Sequence, residues 1–369
     1  MTVRVNGKVV TPSGVIRQGC VEVRGDRISA VAEYPSVRDG HWIVPGFVDI
    51  HTHGGGGHTF TTGDADHARA AAAFHLRHGT TSLLASLVSA PFELMRSATT
   101  AFAPLVREGV LAGIHYEGPY LSAARCGAQN PEFLRDPSTD ELAELIKLGD
   151  GAVRMVTLAP ERAGALEAVR LLTEHGVVAA VGHTDATYEQ TVAAVAAGAS
   201  VGTHLFNGMR PVHHREPGPV VALLTAPNVV CELVADGVHL HEGTLTFATA
   251  TAGPERCALI TDAMAAAGMP DGEYELGGQA VTVADGEARL ARDGAIAGST
   301  LTMDAALRNA VAAGIPVPDA VRMVATTPAL AVGLGDQVGA VQAGLRADLV
   351  VLDDDLEVVR VMHGGAWVE

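Results

Sequence analysis

The chain has 369 residues, 48 % apolar and 18 % charged, which is long enough for two domains and apolar enough for a large buried core; a disordered chain is excluded. Lys plus Arg number 25 against 42 Asp plus Glu, a net charge of −17, so neither nucleic acid nor an anionic membrane is expected as a partner over a broad surface, whereas one small anion held by a local arginine is compatible. Four cysteines without CxxC spacing (Cys20, Cys126, Cys231, Cys257) exclude a disulfide framework and a cysteine zinc site. The opening MTVRVNGKVV carries no apolar leader and no apolar run reaches membrane-spanning length, so a soluble cytoplasmic protein is expected.

Residues 1–43 alternate apolar and polar positions, broken by Gly and Pro12, as short antiparallel strands do. The C-terminal ADLVVLDDDLEVVRVMHGGAWVE has the same rhythm. Neither end is large enough for its own core, which predicts one small β-sandwich domain built from 1–43 and 340–369. From Trp42 onward, in a middle domain expected at 44–339, come eight short apolar runs: WIVPGFVDI, TTSLLASLV, VLAGIHYE, VRMVTLA, VVAAVGH, SVGTHL, VVCELVAD and ALITDAM. Several are separated by amphipathic stretches, such as ERAGALEAVRLLTEHG with Leu166, Val169 and Leu172 on one face. The alternation predicts an α/β fold, a (β/α)8 TIM-type barrel. A doubly wound open sheet competes, but no GxGxxG or GxxxxGK[ST] supports a nucleotide-binding version of it. Residues 270–300 read as an inserted β-hairpin, followed by a helix from near Asp304.

Barrel active sites lie at the C-terminal ends of the strands. There the sequence places His51 and His53, Glu117, His183, His204, Asp236 with His239, and Asp262. His51 and His53 are two apart, so on a strand both project to one side. Glu117 ends an apolar strand, where a carboxylate is costly unless paired or bound to metal. His183 and His204 taken singly are also compatible with hydrogen-bonded core histidines, and Asp262 with a helix cap. Together, imidazoles and carboxylates without a thiolate suit zinc, iron or another divalent first-row ion that activates water, with Asp262 placed to move protons. This reads as metal-assisted hydrolysis of an amide, ester or related bond. Asn207, the amides near Gly208, and Arg215 offer groups for an anion, although Arg215 is equally compatible with a surface ion pair. Gln129 and Asn130 lie in the long loop after the third strand.

With PGFVDIHTHGGGG, HYEGPYL, GAQNP, VGHTDA, THLFNGM, REPG, VADGVHL, TDAM and AGSTLTM in this order, the chain resembles the amidohydrolase superfamily, and within it the N-acetylglucosamine-6-phosphate deacetylase family. The resemblance implies a barrel with a terminal β-sandwich, often a homodimer, that hydrolyses the acetamide of an amino-sugar phosphate. Glu117, His183 and His204 match the family's metal ligands, and His51 and His53 a second site of variable occupancy. One or two divalent ions per subunit are implied, with zinc favoured over iron, manganese or cobalt. Asp262 matches the catalytic acid/base. Asn207, Gly208, Arg215 and His239 match substrate contacts, the arginine reaching across the dimer interface in some members. Two positions depart from the pattern: Gln129 stands where many members have His, and Cys126 where a basic residue is common. Two other readings compete. A cyclic-amide hydrolase of the same superfamily usually needs a metal-bridging lysine, and Lys8 and Lys147 are both misplaced for it. A non-catalytic sugar-phosphate-binding barrel would have no use for Asp262.

Overall fold

The computed structural model describes residues 2–35 and 40–369. Eight parallel strands occupy the centre: β1 (Phe47–Thr52), β2 (Thr80–Leu87), β3 (Gly113–Glu117), β4 (Val153–Leu158), β5 (Val178–Val181), β6 (Val201–Gly202), β7 (Val230–Val234) and β8 (Cys257–Ile260). Each pairs with the next in chain order, and a helix follows each strand before the next begins or, after β8, closes the series at Met303–Ala312. The ends of the sheet meet: Asp262 N–H donates to His51 O (2.9 Å) and His53 N–H to Ala263 O (2.8 Å). Buried Asp49 straps the same seam, accepting from Thr261 Oγ1 at 2.6 Å and Thr261 N–H at 3.3 Å. The closed sheet is the expected (β/α)8 barrel.

Period-two alternation decides what faces the interior. In β3, Ile114 and Tyr116 pack outward into the helix layer, Tyr116 donating its hydroxyl to Met95 O, while His115 and Glu117 face in. The helices start where polar caps satisfy their free amides: Asp64 caps Ala65–Arg77, Ser138 caps Thr139–Gly149, and Thr187 with Gln190 forms a capping box on Tyr188–Ala197. On Ala165–Glu174, Val169 and Leu172 are buried as the helical spacing predicts and Leu166 packs at the core's edge.

The two ends of the chain form one seven-stranded sheet in the order 366–367, 358–363, 349–352, 42–45, 2–11, 14–24, 27–33. Its strands share an apolar core that includes Val9, Val21, Ile28, Ile43, Leu349 and Met362. Its far edge returns onto the chain before Leu349: Ile28 N–H donates to Leu345 O and Ala347 N–H to Asp26 O.

Residues 270–300 hold three antiparallel strands, Gly272–Leu276, Gln279–Ala284 and Glu287–Leu290, where a hairpin is expected. The third strand is present because Ala288 and Leu290 alternate inward to share a small core with Val281, Val283, Met264 and Val88. No helix among the described residues is long and apolar enough to cross a membrane.

Candidate active site

Three of the candidate residues leave their strands by the same local device. His183, His204 and Asp262 lie within two residues of the ends of β5, β6 and β8 and have φ of 46°, 26° and 49°, a left-handed backbone that non-glycine residues adopt at a cost. This turn begins so soon after β6 that the strand is only two residues long, and His204 lies beyond it rather than on it. Gly208, also left-handed at φ 59°, passes so close to His183 that a Cβ there would lie 2.8 Å from its Nδ1.

The side chains converge on one mouth. Glu117, His183 and His204 form one buried group and His51, His53 and Asp262 another, each with ligand atoms within 4.8 Å of one another. The groups adjoin: Glu117 Oε1 is 2.9 Å from His183 Nε2, 2.8 Å from His204 Nε2 and 3.6 Å from His51 Nε2, while Glu117 Oε2 is 3.2 Å from His53 Nε2. Asp262 Oδ1 lies 3.2 Å from His53 Nε2 and 3.6 Å from His51 Nε2.

The rings are held from behind. His53 Nδ1 faces Ser86 O (3.1 Å), His183 Nδ1 faces Arg125 O (2.8 Å) and His51 Nδ1 faces Glu232 Oε2 (3.0 Å). An acceptor at Nδ1 fixes the proton there and leaves Nε2 a lone pair toward the mouth. Nε2 atoms then face each other at 3.2 Å (His51 and His53) and 3.1 Å (His183 and His204). Four imidazole nitrogens and two carboxylates gathered this closely, without thiolate, fit a divalent cation.

The electrostatics express the same crowding. Burial by itself pushes His51 down, but Glu117 and Glu232 outweigh it and hold the ring well above imidazole's ordinary range. Burial likewise opposes the charge of His53, yet hydrogen bonds to Asp262 and Glu117 raise it to about 9. Burial would raise Glu117 and Asp262, and the surrounding imidazoles instead hold both carboxyls well below their usual range. His51 and His53 thus hold a proton more tightly than an ordinary imidazole, and a cation at these nitrogens would compete with that proton.

The mouth opens into a cavity of about 210 Å³ lined by His53, Glu117, Gln129, His183, His204, Asn207, Gly208, His239 and Asp262, with Leu276 and Ile296 from the inserted sheet and its return. Gln129 is buried, donating from Nε2 to Glu117 Oε2 (2.6 Å) and accepting at Oε1 from Ser89 N–H (2.6 Å). His239 is aimed by Asp236, whose Oδ2 is 2.6 Å from its Nδ1, and its Nε2 lies 3.7 Å from Asp262 Oδ2. Arg215 is not brought to this cavity. It is exposed, on a loop beside a separate hollow shared with Tyr188, Arg210 and Glu216, and no Arg or Lys among the described residues lines the cavity. Asn130 caps the short turn Pro131–Phe133.

Two buried residues escape the strand-end reading. His115 spans Ser86 Oγ (2.9 Å) and Thr157 Oγ1 (2.8 Å) beneath His51. Glu232 stands in the middle of β7. Each is a polar residue within a buried strand, and the cost of burying it unpaired is the signal that would have found it.

The amidohydrolase family profile matches residues 42–368. An N-acetylglucosamine-6-phosphate deacetylase of Lysinibacillus sphaericus is 35 % identical, covering 98 % of this chain and 96 % of its own. An N-acetylgalactosamine-6-phosphate deacetylase of Escherichia coli O157:H7 is 37 % identical over the same shares. Among solved structures, a mutant N-acetyl-D-glucosamine-6-phosphate deacetylase of Mycobacterium smegmatis, in complex with N-acetyl-D-glucosamine-6-phosphate, is similar with a TM-score of 0.96 at 48 % identity over 99 % of both chains. With relatives matched along nearly its whole length and the family profile spanning barrel and C-terminal strands alike, the chain belongs to the amidohydrolase family.

Proposed function

We propose that the chain hydrolyses the acetamide of N-acetylglucosamine-6-phosphate, giving glucosamine-6-phosphate and acetate. The observation that carries this reading is the donor set at the cavity floor, in a chain 48 % identical to a deacetylase solved with that sugar phosphate. A divalent cation, zinc first among the candidates and one or two per subunit, is held by Glu117, His183 and His204, with His51 and His53 beside Asp262 as the second position. When bound, it supplies Lewis acidity toward water and the amide carbonyl. The residues of the chain do the rest. Asp262, kept ionised by His51 and His53, accepts a proton from the attacking water and passes it to the departing amine, so that the C–N bond breaks to acetic acid and a neutral amine. His239, oriented by Asp236, and Asn207 and Gly208 hold the sugar. Gln129 steadies Glu117 from the rim.

Among the described residues no Arg or Lys lines the cavity, so none of them offers the phosphate a strong cation there. In this reading Arg215 supplies it to the site of a second copy, in a homodimer. In this reading the chain divides near residues 43 and 340 into a terminal β domain and a barrel domain, with the strand Trp42–Pro45 in the terminal sheet. In this reading, too, the reaction belongs to the cytoplasm, since a phosphorylated sugar does not cross membranes unaided. A second substrate is supported by the Escherichia coli relative: N-acetylgalactosamine-6-phosphate, epimeric at C4.

Acetate release from both epimers, with and without chelator, tests the proposal. Chelator-sensitive turnover of N-acetylglucosamine-6-phosphate is expected. No cleavage of it, or turnover that survives full metal removal, would refute the proposal; cleavage of the epimer alone would make the second substrate the first.

A further inference from the structure

We propose that Glu232 is a positioning residue for the metal, one carboxylate oxygen holding a histidine of each ligand group. Its Oε2 faces His51 Nδ1 at 3.0 Å and accepts from the main-chain N–H of His204 at 3.1 Å. His51 belongs to the group with His53 and Asp262, and His204 to the group with Glu117 and His183. The two bonds act differently. At His51 the carboxylate fixes the Nδ1–H tautomer and turns the Nε2 lone pair to the mouth, the arrangement that makes a ring nitrogen a better ligand. At His204 the ring has no such help, because its Nδ1 is buried without a hydrogen-bond partner among the described residues. The backbone there is left-handed at φ 26°, and the bond from Glu232 to its amide restrains that turn.

A structural explanation accounts poorly for Glu232. The side chain is fully buried, and its Oε1 has no hydrogen-bond partner among the described residues. Its register partner on β8 is Ala258, and its neighbours Cys231 and Leu233 are apolar core. An apolar residue at 232 would spare the cost of burying a carboxylate. The two bonds to residues of both ligand groups are what that carboxylate provides.

The proposal rests on the metal reading of the preceding section, and its test separates the two. Zinc dissociation constants are measured by competition with a chromophoric chelator for the wild type, Glu232→Gln and Glu232→Ala. Gln keeps the shape and loses the charge; Ala loses the acceptor. Zinc binding is expected to weaken about 10-fold in Glu232→Gln and up to about 100-fold in Glu232→Ala. KM at saturating zinc, which reports substrate contacts that Glu232 does not make, is expected to stay within about twofold. Wild-type zinc affinity in every variant that folds overturns the role of Glu232, even if those variants melt earlier. A wild type that binds no zinc overturns the metal reading itself.

Discussion

Among the described residues, Asp262 is the one carboxylate at the mouth that meets the paired imidazoles of His51 and His53 while its second oxygen lies 3.7 Å from the ring of His239. Asp262→Asn keeps the shape and removes the proton acceptor. Turnover is expected to fall about 10²- to 10⁴-fold while divalent-metal content stays at the wild-type level, as read by elemental analysis beside steady-state kinetics. Near wild-type turnover would remove Asp262 from its role. A different histidine governs acid stability. His75 is fully buried, and its Nε2–H donates to Gly54 O at 2.9 Å while Nδ1 has no hydrogen-bond partner among the described residues, as suits a neutral ring. Burial lowers it to about 4. The unfolded chain takes up the proton below about 6.5 and the folded chain only below about 4, so the stability is complete above the first value and drains away as pH falls toward the second. Relative to His75→Gln, the wild type is expected to lose about 2 kcal/mol of unfolding free energy between pH 7.5 and pH 5. Urea titrations at the two pH values measure the difference, and parallel losses in both proteins would show that His75 carries no such linkage.

The inserted three-stranded sheet is tied to the loop that carries Gln129. Gln279 Nε2 donates to Ala128 O (3.1 Å), Arg292 Nη2 donates to Gly127 O (3.3 Å), and Arg292 Nη1 donates to Gln279 Oε1 (3.0 Å). Leu276 and Ile296 reach the cavity from the same region. Cutting the tie with Gln279→Ala plus Arg292→Ala is expected to raise KM about 5- to 10-fold and to cost only about 1–2 kcal/mol of stability, because both bonds are near the surface. Steady-state kinetics and thermal melts check this, and an unchanged KM would mean that the loop keeps its place without the sheet. The elements that position the site differ in how far sequence reveals them. His51 and His53 were readable because a spacing of two on a strand has one geometric meaning, and Glu117 because an acid ending an apolar strand needs a partner. The left-handed turns at His183, His204 and Asp262 were not, since nothing local distinguishes them from straight strand ends. Glu232 and His115 were hidden by the same pattern that made their strands recognisable. The loop carrying Arg215 has no periodicity, so its sequence gives no bearing on where the guanidinium points.

That guanidinium raises a question about the assembly. A sugar phosphate brings two negative charges to a mouth that already holds Glu117 and Asp262, and the cavity offers imidazoles and backbone amides but no arginine or lysine among the described residues. The exposed loop 211–216 carries Arg215 beside the adjoining, mutually tilted rings of His213 and His214, with the exposed Val212 near them. If this loop completes the site of a second copy, each active site is assembled from the Asp262 of one chain and the Arg215 of the other. Two inactive variants then complement each other. Asp262→Asn keeps Arg215, and Arg215→Ala keeps Asp262. In a 1:1 mixture with free exchange about half of the dimers are mixed, and each mixed dimer has one complete site of two. About a quarter of wild-type activity is therefore expected to return on mixing. The measurement is turnover of N-acetylglucosamine-6-phosphate by each variant alone, then by the pair after subunit exchange. Arg215→Ala alone is expected to weaken the phosphorylated sugar far more than unphosphorylated N-acetylglucosamine. Recovery distinguishes a shared site from an arginine acting within its own chain, for which the mixed dimer would still lack a complete site and no activity would return.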